Sequence, residues 1–299
     1  MAALCALSVS AACGSGSSSV APPVESWSLV SDTLATPGLA SQGLAGLPGL
    51  GADEFAYSSE LTIGRGPGNK VDTVAFPFPK ALASQHFDHL GDIDAWNGAI
   101  YGGLEDNSEP HGAIYHRALI AYDATTLAPL GFAVDPGSPD APGDGDAPWV
   151  AVSPDGAWVA TAEWDPQRAV LLFHRDEVVA DASGNAQIEA AARVPLDSTL
   201  ARVQGCDFDG PTTLVCSSDD ATTGRLVYAI VFSDAVDGHV DLTHLTAHVE
   251  PLFPTGKPAN LCGADEEVEG IDVSGDELRV MVIGTCKLDT HLYLYTRAP

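Results

Sequence analysis

A short pattern of residues recurs five times along this chain of 299 residues, and internal repetition constrains the fold more than any other feature of the sequence. Each copy consists of a polar residue, a small residue and an alternating apolar run, followed by a turn rich in Gly, Pro, Asn or Asp. The copies read SQGLAGL, LGDIDAW, PWVAVSPDG, VQGCDFDG and VEGIDVSG. Gly43, Gly91, Gly205 and Gly270 mark four copies and Val150 takes that place in the third, so the mean spacing is about 57 residues.

Further strand candidates follow each copy. A second apolar run comes after the turn, as in AIYGGLE and TLVCSSDD, and a third follows, as in ALIAYDATTL and RLVYAIVF. The first four copies continue into a fourth run. Four antiparallel strands per repeat make the blade of a propeller, so we predict an all-β fold, a five-bladed β-propeller spanning residues 25–299 as a single domain. A six-bladed ring with one degenerate copy and a β-sandwich are the alternatives.

The two ends of the predicted propeller complement each other. The fifth copy reaches Pro299 after three strands, and the stretch from Glu25 to Asp32 precedes the first copy without a partner. We therefore predict that this N-terminal strand pairs with the strand around His291 to Thr296 and closes the ring. Closure protects sheet edges that would otherwise be exposed.

The first residues, MAALCALSVSAAC, are apolar or small and uncharged, which is typical of the end of a secretory signal. The run from Ser10 to Ser15 resembles a bacterial lipobox, whose cysteine is lipidated, although Ser10 stands where Leu is usual and no basic residue precedes the run. We predict a signal peptide over residues 1–13 ending at Cys13, a flexible linker over 14–24, and lipid anchoring in the cell envelope. Free secretion and a cytoplasmic location are the alternatives.

Four cysteines remain in the body of the chain. Cys206 and Cys216 flank one predicted hairpin, and Cys262 and Cys286 bracket another. We predict disulfides Cys206–Cys216 and Cys262–Cys286, which fit an oxidising compartment outside the cytoplasm. A metal site is disfavoured because the spacings are long and contain no C-x-x-C pair.

The charge of the chain restricts its partners. The net charge is −28, from 41 acidic and 13 basic residues. Nucleic acid is excluded as a partner because binding phosphates needs clustered Lys and Arg, and we expect membrane contact only through a lipid anchor. Divalent cations and cationic ligands are favoured, although surplus carboxylates also simply keep an exported protein soluble. We expect a monomer that binds a small molecule or a protein ligand.

Two segments resemble known propeller families. AVSPDGAWVATAEWDPQRAVLLFHRD is similar to a blade of the YVTN type, and VEGIDVSGDELRVMV resembles the inner strand of phytase-like, gluconolactonase-like and NHL propellers. The resemblance implies the fold. The phosphate-binding Lys and Arg of the phytase-like enzymes and the complete metal-ligand set of the gluconolactonase-like enzymes are not identifiable in this sequence.

Candidate site residues follow from propeller geometry, in which the inner strand begins at the face where the second strand ends, and ligands bind at that face. Converging carboxylates there suit Ca²⁺, with His89 as a candidate catalytic base and Trp149 as a stacking platform. The alternatives are that the carboxylates bond backbone amides and hold blades together, that His89 is a turn residue and that Trp149 packs between blades. The candidate ligand or metal-binding residues are Asp92, Asp94, Glu105, Trp149, Glu163, Gln204, Asp207 and Glu269.

These features favour a non-catalytic, exported propeller that binds a ligand or partner at its channel face. A metal-dependent hydrolase or lactonase working at the same face is the alternative, and a purely structural envelope module is a third. Fold alone does not decide among them.

Lipidation of Cys13 can be tested directly. We expect the expressed protein to partition into the detergent phase and the variant Cys13→Ser to stay in the aqueous phase, because the lipid is attached through that sulfur. Mass spectrometry of the mature N-terminus checks the result. A mature chain that starts elsewhere and carries no lipid mass would leave plain secretion.

Overall fold

The computed structural model describes residues 26–36, 38–76, 78–105, 116–136, 145–179, 186–255, 266–284 and 289–298. These residues form twenty β-strands and two four-residue helices. The strands before residue 140 are β1 (Trp27–Leu34), β2 (Gly43–Gly46), β3 (Glu54–Ser59), β4 (Thr62–Pro67), β5 (Thr73–Ala75), β6 (His89–Trp96), β7 (Ala99–Glu105), β8 (Arg117–Asp123) and β9 (Pro129–Asp135).

The remaining strands are β10 (Ala151–Val152), β11 (Trp158–Thr161), β12 (Gln167–His174), β13 (Ala192–Leu200), β14 (Val203–Phe208), β15 (Thr213–Ser218), β16 (Leu226–Phe232), β17 (Ala247–Pro254), β18 (Glu267–Ser274), β19 (Glu277–Ile283) and β20 (Thr290–Arg297). The helices are α1 (Lys80–Ala83) and α2 (Arg175–Val178).

The described strands fall into antiparallel groups of four, each called a blade below. In order along the chain the blades are β2–β5, β6–β9, β10–β13, β14–β17 and β18–β20 with β1. The third and fourth share one sheet only because their outer strands, β13 and β17, meet at a parallel bridge between Leu196 and Ala247. The inner strands β2, β6, β10, β14 and β18 neighbour one another in cyclic order around a central axis. The predicted all-β propeller fold is confirmed.

The apolar core is divided in the same cyclic way. Each of the five hydrophobic clusters lies between two consecutive blades, including one that joins the last blade to the first through Met281, Leu292, Leu44 and Tyr57. A strand buried on both faces reads as a nearly continuous apolar run, as in the ALIAY of β8 and the AVLLF of β12. The blades therefore pack face to face around the ring.

The N-terminal strand closes the ring as predicted. β1 runs antiparallel to β20, with Trp27 opposite Arg297 and Leu34 opposite His291, so it extends two residues beyond the predicted end. The pairing is reinforced at both ends: the His291 Nδ1 atom lies 2.7 Å from the Asp32 carboxylate, and the Arg297 guanidinium lies 4.8 Å from the Trp27 ring centroid.

The disulfide between Cys206 and Cys216 is confirmed and links directly opposite residues of β14 and β15. Cys13, Cys262 and Cys286 lie outside the described residues, so lipidation and the second disulfide stay predictions. Within the described part of the chain, no helix is long and apolar enough to cross a bilayer.

Ring closure predicts an asymmetric response to N-terminal deletion. Deleting residues 14–34 removes β1 and exposes the edge of β20, at a cost of about 1 kcal/mol for each ladder hydrogen bond lost. We expect the melting temperature to fall by about 10 °C or more. Deleting only residues 14–25 leaves β1 intact and is the matched control, which should melt like the full chain in differential scanning calorimetry. Equal melting temperatures for both deletions would contradict the closure.

Candidate functional site

A cavity of about 330 Å³ opens at the end of the axis where the inner strands begin. We call this cavity the cup. Every blade contributes to its wall because the inner strands start, and the second strands end, at this face. The lining residues are Gln42 and Glu60 from the first blade, His89 and Glu105 from the second, Trp164 from the third, Arg202, Gln204 and Asp219 from the fourth, and Glu267 and Glu269 from the fifth.

The cup is strongly acidic. Five of its lining side chains are carboxylates and one is an arginine. Glu105 and Asp219 are fixed by polar partners. Ala147 N donates to Glu105 over 3.2 Å, Arg225 Nε donates to Asp219 over 2.9 Å, and Val268 N donates to Asp219 over 3.2 Å. These bonds hold the wall in place before any ligand arrives.

His89 and Glu105 form a pair on the wall of the cup. The His89 Nδ1 atom lies 2.7 Å from Glu105 Oε1. Burial alone lowers the pKa of His89, but the hydrogen bond and charge of Glu105, together with the charges of Glu60 and Asp88, raise it above its ordinary value. The imidazole therefore keeps its proton to a higher pH than a free histidine, which suits a proton donor better than a general base.

Asp92 lies on the axis below the cup. Its side chain is fully buried, and Leu44 N and Ile271 N donate to its two oxygens over 3.2 and 3.3 Å. A Cβ atom on Gly43, Gly205 or Gly270 would come within 2.5 Å of a carboxylate oxygen of Asp92. The repeated glycine of the sequence pattern is thus the space into which this carboxylate fits. Burial raises its pKa well above the ordinary value.

Three more aspartates each accept a hydrogen bond from a backbone amide of the neighbouring blade. Asp94 accepts a hydrogen bond from Val152 N, Asp207 from Val273 N and Asp272 from Gly46 N, each over 2.6 Å. Every acceptor sits on one inner strand and its donor on the next. Burial raises the pKa of Asp94 to about 7, and it also raises the pKa of Asp207 and of Asp272.

The structure therefore divides the predicted site residues. His89, Glu105, Gln204 and Glu269 line the cup. Asp92, Asp94 and Asp207 do not, because backbone amides of neighbouring blades hold their oxygens below it, as in the structural alternative.

Two further candidates lie elsewhere. Glu163 is buried and pairs with Arg193, 2.5 Å away, without lining the cup. Trp149 is completely buried in the core between the third and fourth blades, so its ring has no open face at the mouth. Trp164, one residue past Glu163, provides the aromatic face instead, with 39% of its surface exposed.

Glu269 and Asp272 are three residues apart on β18, and strict alternation along a strand would place them on opposite faces. Glu269 lines the cup, and Asp272 is buried between β18 and β2, where it accepts a hydrogen bond from Gly46 N and its charge raises the pKa of Asp94 and Asp207. The register of β18 against β19 shifts between Val268 and Ile271, and this irregularity breaks the alternation.

Gln42, Glu60 and Asp219 stand at strand ends that the geometric rule marks. Trp164, Arg202 and Glu267 do not. Each lies within two residues of a position that the repeat does mark: Trp164 follows Glu163, Arg202 precedes Gln204, and Glu267 precedes Glu269. A rule that included the flanks of both strand ends would have found all three.

No group of three or more His, Cys, Asp or Glu side chains that could hold a metal ion occurs among the described residues. The sharing of the deeper carboxylates with backbone amides accounts for this arrangement. Calcium binding stays a prediction from the sequence.

Comparison with known proteins supports the fold. No protein-family model matches the chain, and no curated protein matches it significantly. Among solved structures, the glutaminyl cyclase of Myxococcus xanthus is similar with a TM-score of 0.53 at 9% identity, over 92% of this chain and 98% of that one. A luciferin-regenerating enzyme reaches a TM-score of 0.48 at 14% identity, over 89% and 78% of the two chains. A glucose dehydrogenase reaches 0.46 at 10% identity, over 90% and 99%. At such identities the glutaminyl cyclase match shows a shared propeller-type fold and nothing of its activity.

The buried aspartates predict a pH-dependent stability. Because the pKa of Asp94 is about 7 in the folded protein, against 3.8 for an ordinary aspartate, its contribution is fully present below pH 4 and is lost as the pH rises to 7. In Asp94→Asn one backbone amide loses its acceptor, which should cost about 1–3 kcal/mol at every pH. The decline in the free energy of unfolding between pH 4.5 and pH 8 should become smaller in this variant.

Urea unfolding of both proteins at the two pH values measures this change. Asp123→Asn is the control, because hydrogen bonds from Thr126 lower the pKa of Asp123, so the stability that this carboxylate contributes is constant above pH 4.5 and is lost only in acid. This variant should leave the decline between pH 4.5 and pH 8 unchanged. A decline as steep in Asp94→Asn as in the unchanged protein would contradict a raised pKa at Asp94.

Proposed function

We propose that this protein is an exported propeller that binds a small organic cation in the cup without transforming it. The observation that carries the proposal is the meeting of five carboxylates and one exposed indole around a single cavity. Carboxylates compensate the charge of a cation, and the face of a tryptophan attracts it through the ring quadrupole.

The size of the cup restricts the ligand. A volume of about 330 Å³ is at the lower end of the range for small-molecule pockets, so a short ligand fits and a folded protein domain does not enter. The net charge of −28 favours the encounter with cations over long range and disfavours anions.

Three polar side chains of the cup are available to a ligand. Within the described part of the chain, the side chains of Gln42, Glu60 and Gln204 make no hydrogen bond or ion pair. An unpaired amide or carboxylate beside prearranged neighbours is suited to ligand contacts, since no internal bond has to break first.

The His89–Glu105 pair supports a second candidate, the hydrolase or lactonase. In this reaction water attacks the carbonyl carbon of an ester or lactone bound in the cup, the bond from that carbon to the leaving oxygen breaks, and protonated His89 donates its proton to the leaving oxygen. Hydrolysis of a model lactone that disappears in His89→Gln would favour this candidate.

An extracytoplasmic location is part of the proposal. The disulfide Cys206–Cys216 supports an oxidising compartment, and lipid anchoring through Cys13 would keep the cup at the outer side of a membrane.

Binding can be tested by calorimetry with two probes of the same shape. Agmatine carries a guanidinium group, and N-carbamoylputrescine carries a neutral urea in the same place. We expect agmatine to bind at least about tenfold more tightly, because only the guanidinium meets the carboxylates and the indole as a cation. N-carbamoylputrescine keeps the ammonium at its other end, so equal affinity for both probes would contradict recognition of the guanidinium by the carboxylates and the indole, and absence of binding by both would contradict the proposal.

Variants locate the binding. Trp164→Leu should weaken agmatine binding about fivefold, and Glu60→Gln should weaken it to a lesser degree. Glu189→Gln, an exposed carboxylate away from the cup, is the matched control for loss of one negative charge. If Ca²⁺ displaces agmatine and raises the melting temperature, the result favours the metal-dependent alternative over binding of an organic cation.

A further inference from the structure

Arg202 lies across the face of Trp164 inside the cup. Its guanidinium carbon is 5.9 Å from the centroid of the indole ring, and its Nη1 atom is 3.8 Å from Asp219 Oδ2. Half of the side chain is exposed to solvent. Both contacts lie near the outer limit of their kind, since cation–π attraction extends to about 6 Å and an ion pair to about 4 Å.

The other arginine–ring contacts in the described residues are much closer. Arg175, Arg279 and Arg297 lie 4.5, 4.7 and 4.8 Å from the rings of Trp96, Phe55 and Trp27. Each of these three arginines also has a carboxylate oxygen within 2.5 or 2.6 Å. Arg202 is therefore held more loosely than its counterparts.

Asp219 does not depend on Arg202. The buried Arg225 donates to it from Nε over 2.9 Å, and Val268 N donates over 3.2 Å. If Arg202 moves away, this carboxylate keeps two close partners and no buried charge is left unpaired. The displacement of Arg202 costs a weak, half-exposed ion pair with Asp219 and the screened attraction of the nearby Asp220.

The backbone of Arg202, in contrast, is fixed at the rim. The residue lies in the short link between β13 and β14 with a φ of 49°, and its carbonyl accepts a hydrogen bond from Asp219 N over 2.9 Å. A non-glycine residue in this left-handed region costs conformational energy. The chain thus places a loosely held guanidinium directly over the exposed aromatic face of the cup.

We propose that Arg202 is the internal occupant of a guanidinium subsite on Trp164, and that the ligand presents a planar, delocalised cation that displaces it. This inference rests on the proposed binding of organic cations in the cup. One face of an indole accommodates one cation, and two like charges there repel each other. Arg202 therefore sets both the affinity and the choice of ligand.

The occupant indicates the class of ligand. A guanidinium is flat, weakly hydrated and stacks on an aromatic face, whereas a primary ammonium is a compact and strongly hydrated point charge. Because the face of Trp164 already accommodates the guanidinium of Arg202, we expect the cup to prefer a ligand with a guanidinium or amidinium group over a simple diamine.

The experiment compares agmatine with 1,5-diaminopentane by calorimetry on the full chain. Arg202→Gln should bind agmatine about fivefold more tightly than the unchanged protein, because the face of the Trp164 ring is then free for the ligand. The gain should be smaller for the diamine. Arg175→Gln, which removes the same charge from the opposite face of the propeller, is the matched control and should change the affinity less than about twofold.

The indole tests whether the gain is local. When Trp164→Leu is combined with Arg202→Gln, the gain for agmatine should disappear, since no ring face remains to be vacated. Acrylamide should also quench tryptophan fluorescence more strongly in Arg202→Gln, without any ligand present. If that variant does not fold by circular dichroism, Arg202→Lys keeps the charge but not the planar stack and should give a smaller gain of the same sign.

The outcomes separate this inference from the proposed function. If the unchanged protein binds agmatine and Arg202→Gln binds it equally or more weakly, the inference alone is overturned. A gain that persists with Trp164→Leu, or that Arg175→Gln reproduces, also overturns it, because the effect would then be general electrostatics. Absence of binding in every variant overturns the inference and the proposed function together.

Discussion

The close approach of the inner strands to the Asp92 carboxylate is the constraint on which the rest of this structure depends. Three glycines from three other blades face it, and a single Cβ at any of them would meet a carboxylate oxygen at 2.5 Å. In return the carboxylate receives amide hydrogen bonds from two of those blades. The axis is thereby filled below the cup, and the cup has a floor.

The same chemistry holds the blades in register around that floor. Asp94, Asp207 and Asp272 each reach an amide of the next inner strand, so these junctions are bridged by carboxylates as well as by apolar packing. Such buried acids keep their protons to higher pH than usual. Part of the acidic composition that looks like surface charge in the sequence is therefore used inside the channel.

The repeat and its turns were sufficient to predict the fold. The strand order within a blade follows from hairpin connections, and the closing pair of β1 and β20 follows from a surplus strand at one end and a missing strand at the other. In a propeller the first residues of the inner strands lie beside the last residues of the second strands. From this rule alone, several residues of the cup could be predicted, among them His89, Glu105, Gln204 and Glu269.

The site could be predicted only in part, because shifts of one residue decide what a carboxylate faces. The register of β18 shifts between Val268 and Ile271, and no pattern in the sequence indicates where that irregularity lies. Likewise, Trp149 and Trp164 both stand at ends of strands that meet the cup. Only the packing of Ala151, Val203 and Cys206 around Trp149 determines that it is core and that Trp164 is exposed.

The floor of the cup and its rim differ in how firmly their side chains are held. The floor is held from several blades at once, so a ligand cannot move it without breaking bonds that also hold the ring together. The rim carries side chains with weak or no internal partners, including Arg202 over Trp164 and the unpaired Glu60. Selectivity can therefore change at the rim at little cost to the fold. When the guanidinium of Arg202 leaves the ring of Trp164, a cationic ligand takes its place there. The charge next to the indole is thus replaced while the floor stays in position.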